Sequence, residues 1–65
     1  MSQVKTIAKN INKYRKISID KLAQKAGISK FTLQKILYAQ IKDIQVSTLS
    51  KIAKALNVST DDLLQ

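Results

Sequence analysis

The side chains able to do chemistry in this chain are few, and their types exclude most reactions. There is no cysteine and no histidine. That removes thiolate nucleophiles, disulfides, imidazole bases and the usual ligands of a structural zinc site. The acids are Asp20, Asp43, Asp61 and Asp62. Asp20, Asp61 and Asp62 fall in the first turns of apolar-periodic segments, where a carboxylate favours the positive end of a helix macrodipole. Ser18, Ser29, Ser47 and Ser59 stand at the starts of such segments. There a side-chain oxygen serves as an N-cap rather than as a nucleophile. With no glycine-rich phosphate loop and no metal-ligand cluster, the sequence reads as a non-enzyme with no cofactor and no metal.

What remains is positive charge. The formal net charge is +8, and residues 1–35 carry all of it, with nine basic side chains against the single acid Asp20. Residues 36–65 balance Lys42, Lys51 and Lys54 against Asp43, Asp61 and Asp62. A polyanion-facing surface explains that asymmetry; a merely lysine-rich protein is the plainer alternative. Lys5, Lys9, Lys13 and Lys16 recur at three- and four-residue spacing, which suits either a solvated helix face or phosphate contact.

The elements that would position these charges are organised around Ile19–Ile36, IDKLAQKAGISKFTLQKI. Ile19, Leu22, Ala23 and Ala26 form one apolar helical stripe, and Ile28, Leu33, Ile36 and Leu37 form another with a shifted phase. Between them lies Gly27, the only glycine of the chain. A glycine there ends the first helix in a left-handed cap, and Ser29 caps the second. The layout is a helix-turn-helix, with the small Ala23 allowing close approach of the two helices. At about 100° per residue, Leu33, Ile36 and Leu37 face inward. Phe31, Gln34, Lys35 and Tyr38 then project outward, with Lys30 and Thr32 on the flanks.

Leu22-Ala23, Gly27-Ile28-Ser29, Leu33 and Ile36 resemble the helix-turn-helix core of phage repressor and Cro-type (Xre-like) transcriptional regulators. Thr48–Leu64, TLSKIAKALNVSTDDLL, resembles the fourth and fifth helices of the same family. The resemblance spans roughly Val4 to Leu64. It implies an all-α, compact five-helix bundle of the lambda-repressor-like type, with the motif at helices 2 and 3. It also implies transcriptional regulation, as a repressor, through double-stranded DNA. The base-reading positions it implies are Lys30, Phe31, Thr32, Gln34 and Lys35. Lysines suit the acceptors of guanine, glutamine pairs with adenine, and Thr32 and Phe31 can lie against thymine methyl groups. Ser18, Lys21, Ser29, Tyr38 and Lys42 are the expected phosphate contacts.

The sequence departs from that family at two landmarks. Relatives commonly carry Glu-x-Gly after the recognition helix and Pro-Ser before the next one. Here Leu37-Tyr38-Ala39 and Ile44-Gln45 stand instead, so the resemblance does not fix the connecting loop. Ile41, Ile44 and Val46 are expected to anchor it to the core. A glutamine common at the start of the motif is replaced by Ile19, which leaves phosphate binding to the backbone near Ser18 and to Lys21.

Sixty-five residues form one domain, 1–65, near the lower size limit for folding without staples. Its helices are expected at about 3–15, 19–26, 30–38, 47–56 and 60–64. Val4, Ile7, Ala8, Ile11 and Tyr14 form the buried stripe of the first; Leu49, Ile52, Ala53 and Leu56 that of the fourth. Asn57 is a left-handed cap in place of glycine. Of Leu63 and Leu64, one plugs the core and one is exposed. No run reaches the ~18 apolar residues of a membrane span, and lysines interrupt the N-terminal apolar positions where a signal peptide would need an unbroken run. A cytoplasmic, bacterial or phage-encoded protein is expected. Its partner would be a palindromic operator bound by a weak homodimer joined through Leu63 and Leu64. The competing expectation is a protein-interaction module, such as a regulatory partner or antitoxin-like protein, that keeps the fold without base readout. A cationic membrane peptide is a third, which the closed apolar stripes disfavour.

Overall fold

A computed structural model describes residues 3–65; Met1 and Ser2 of the expected 1–65 domain lie outside it. Five helices follow one another, and no strand occurs among the described residues. They are α1 (Val4–Tyr14), α2 (Ile19–Ala26), α3 (Lys30–Leu37), α4 (Val46–Leu56) and α5 (Thr60–Leu64). They fall where expected to within one residue at each end, the ordinary uncertainty of a helix terminus.

The local chemistry that starts and stops them is explicit. Ser18 and Ser29 cap α2 and α3, their oxygens accepting from the amides of Lys21 and Thr32. Ser59 opens α5 with a full capping box, its oxygen accepting from Asp62 N while Asp62 returns a bond to Ser59 N. Ser47 is the exception. α4 begins at Val46 with Gln45 as N-cap and no side-chain cap bond, so Ser47 lies inside the helix.

Three helices end in the same way. Gly27, Ala39 and Asn57 take φ values of 73°, 54° and 61°. After α2, Gly27 N donates to Gln24 O and Ile28 N to Ala23 O. After α3, Ala39 N donates to Ile36 O and Gln40 N to Lys35 O; after α4, Asn57 N donates to Lys54 O and Val58 N to Ala53 O. Each is a Schellman pair of 5→2 and 6→1 bonds that satisfies carbonyls the helix leaves open. Ala39 thus adopts the left-handed conformation with a β-carbon present, which costs an alanine roughly 1–2 kcal/mol. The loop missing its glycine landmark keeps the turn that a glycine would favour.

Ile11, Leu22, Leu33, Ile36, Ile52 and Leu63 are the largest fully buried side chains, and every helix contributes at least one. Burying such a side chain is worth ~1.5–3 kcal/mol, so a chain of this size needs all five helices closed on one centre. Tyr14, Leu37 and Leu56 pack only partly against that centre. In the loop after α3, Ile41 and Ile44 are anchored as expected, whereas Val46 is 79% exposed. Its place in the first turn of α4 turns it away from the core.

One polar residue inside the bundle was not foreseen. Asn10 is buried, and its Nδ2 donates to the carbonyl of Leu63 at 2.8 Å, tying α1 to α5. Leu63 itself has no exposed surface. That removes it as a self-association contact, because its side chain fills the core beneath α5. Leu64 stays partly buried at the edge.

Candidate nucleic-acid interface

The turn at Gly27 sets α3 beside α2, and Leu22, Ala23, Leu33 and Ile36 of the motif core are buried between them and the rest of the bundle. Ile28 is half-buried against the same centre. With that inner face fixed, the helical period leaves the opposite face of α3 outside. Phe31 and Tyr38 are each 65% exposed, a costly display of aromatic surface in so small a protein. Lys30 is exposed, and Thr32, Gln34 and Lys35 are half-buried on the same helix.

Contacts within this surface define what each side chain can offer. Lys30 Nζ pairs with Asp20 Oδ1 at 2.9 Å, bridging the first turns of α3 and α2. Lys35 Nζ lies over the Phe31 ring. Ser29 Oγ donates to Thr32 Oγ1 at 2.8 Å while accepting from Thr32 N. The Ser29 hydroxyl proton is therefore engaged, and a phosphate oxygen would have to displace it. The Thr32 hydroxyl, acting as acceptor there, keeps its own proton for an outside partner. Ser18 likewise only accepts, from Lys21 N at 3.2 Å, so its O–H remains a donor.

The expected residues do not all fall on one helix. Lys30, Phe31, Thr32, Gln34 and Lys35 share α3, and Ser29 and Tyr38 cap its two ends. Ser18 and Lys21 sit at the start of α2, and Lys42 is exposed in the loop beyond α3. The Lys30–Asp20 pair was missed, because residues ten apart in sequence carry no periodic signal for a contact across a turn. The Lys35–Phe31 contact was legible in the four-residue spacing that stacks helical side chains.

A family model of the Cro/C1-type HTH DNA-binding domain matches residues 9–65. The chain belongs to that family: it is a helix-turn-helix DNA-binding domain of transcriptional regulators, with a lambda-repressor-like fold. Such domains are typically non-enzymatic. Among the described residues no helix is long and apolar enough to cross a membrane, and no group of acids could hold a metal ion. No curated protein and no solved structure matches the chain significantly.

Proposed function

We propose that this domain is a repressor that binds a specific operator with α3 in the major groove. The observation that carries this reading is the outer face of α3. Two lysines, a glutamine, a threonine and an exposed phenylalanine stand on a helix whose inner side is fully committed to the core. An α-helix fits the major groove, and base edges there offer acceptors to lysine and methyl groups to apolar side chains. Lys30, Phe31, Thr32, Gln34 and Lys35 read bases. Ser18, Lys21, Tyr38 and Lys42 hold the phosphates on either side, with Ser29 joining them if its proton is released from Thr32.

One such unit contacts a single half-site, so two copies on a palindrome complete the reading. A groove of about 370 Å³ runs between the start of α1 and the start of α4, lined by Val4, Ile7, Ile44, Val46, Leu49 and Leu64 with the polar Gln3 and Asp43 beside them. We place a weak self-contact there, on Val46 and Leu64. The setting is the bacterial cytoplasm, where chromosomal or phage DNA is directly accessible.

Selection of bound duplexes from a random pool tests the reading. A pair of inverted half-sites about 34 Å apart, one helical turn, is the expected product. Recovery of no motif, together with binding that ignores salt, would leave a protein-interaction module as the better description.

A further inference from the structure

Asp20 is the one acid among the first 35 residues, surrounded in sequence by nine cations. Its carboxylate meets the ammonium of Lys30, the first residue of α3, at 2.9 Å. Both side chains are more than half exposed. An exposed pair of this kind contributes ~0–1 kcal/mol to folding, so stability is a weak reason for it. Nor does the carboxylate cap α2, since Ser18 Oγ already accepts from the Lys21 amide. The pair therefore calls for a role in what Lys30 does.

We propose that Asp20 is a positioning residue that holds Lys30 away from the phosphates and thereby makes it a base reader. This rests on the reading of α3 as the recognition helix. A lysine is a flexible point charge with three rotatable donors and no preferred planar partner. Beside a duplex with one charge per ~1.7 Å, its nearest and strongest attraction is to the backbone. A phosphate contact adds affinity but carries no sequence information. Asp20 offsets that pull in two ways. It satisfies part of the ammonium from the α2 side, leaving the remaining donors for a guanine O6 or N7. It also places a negative charge at the face of the domain, which repels phosphates approaching Lys30. Affinity for arbitrary DNA falls, and discrimination rises.

The experiment compares wild type, Asp20→Asn, Lys30→Ala and the double variant on the selected duplex and on an unrelated duplex, across a salt series. Asparagine preserves the size and most of the hydrogen bonding of Asp20 while removing its charge. Freed Lys30 should neutralise one more phosphate, so Asp20→Asn should steepen the log–log salt slope on unrelated DNA by ~0.9. Preference for guanine at the base facing Lys30 should fall by roughly tenfold. Both effects should disappear in the Lys30→Ala background. Equal slopes and equal preference for wild type and Asp20→Asn would overturn the proposal while leaving DNA binding intact. An effect of Asp20→Asn that persists without Lys30 would also overturn it, assigning Asp20 a separate role. A wild-type protein whose duplex binding shows no salt dependence would remove both the proposal and the recognition-helix reading beneath it. A melting curve alone does not substitute, because loss of the macrodipole contribution of Asp20 would move it under either view.

Discussion

Lys35 holds its ammonium 4.6 Å from the centre of the Phe31 ring, one turn along the outer face of α3. The contact lies within cation–π range, where an exposed pair contributes ~0.5–1 kcal/mol. The ring does pack with Lys35, yet it remains 65% exposed, so the packing does not remove it from a partner's reach. Phe31→Ala is expected to change the melting temperature little. It should reduce preference for thymine over cytosine at one position by on the order of 1 kcal/mol. Replacing that thymine with uracil, which lacks only the methyl, should reproduce the loss in the wild-type protein. A large loss of stability with base preference retained would instead make Phe31 a packing residue and leave Lys30, Gln34 and Lys35 to specify the site.

Phosphate contact has its own signature. Affinity should fall with salt with a log–log slope of ~−0.9 per phosphate neutralised. Lys21→Ala and Lys42→Ala should each weaken binding to all duplexes alike and make the slope shallower by about one contact's worth. Titrations at several salt concentrations on specific and unrelated DNA check this. A change in which site is preferred would move either lysine from the phosphate set to the base-reading set.

Much of this architecture was legible because short helices are set by their ends. Ser18, Ser29 and Ser59 before apolar stripes, and Gly27 and Asn57 after them, are local signals, and the structure uses each as read. Ser47 misled because a serine near a helix start resembles a cap at either of two neighbouring positions, and the backbone enters α4 two residues earlier. Val46 and Leu63 misled for a related reason. Apolar character does not say which side of a first turn faces inward, nor which of two adjacent leucines reaches the centre. Asn10 was illegible altogether, since an asparagine within a polar-looking helix gives no sign of a carbonyl waiting on α5, 53 residues away.

The two turns flanking α3 make opposite predictions about glycine. Gly27 sits at φ 73° with open space where a β-carbon would stand. The penalty for a side chain there is backbone strain rather than collision. Gly27→Val should cost ~1–3 kcal/mol, a large share of the ~5 kcal/mol expected for a domain this small. Ala39, at φ 54°, already bears such strain. Ala39→Gly should therefore raise stability by about 1 kcal/mol despite the greater entropy of glycine in the unfolded chain. Denaturant midpoints for the two variants should move in opposite directions. Movement of both the same way would show that the Schellman turns do not govern these positions.

Asn10 supports the most specific stability prediction. Its amide satisfies the Leu63 carbonyl within the core, tying to α1 a five-residue helix that is otherwise held by the buried Leu63 side chain and its own capping box. Asn10→Ala deletes the donor and leaves that carbonyl buried without a partner, a loss of ~1–3 kcal/mol. Asn10→Leu restores volume but not the donor, so it should recover little of the loss. The damage should concentrate at α5. Amide exchange at Leu64 and Gln65 should accelerate more than at Leu33 or Ile36, because a short terminal helix opens locally before the bundle does. DNA affinity measured on folded protein should be nearly unchanged, since Asn10 faces the core. Uniform exchange acceleration across all five helices would show instead that the bond supports the whole fold rather than the docking of α5.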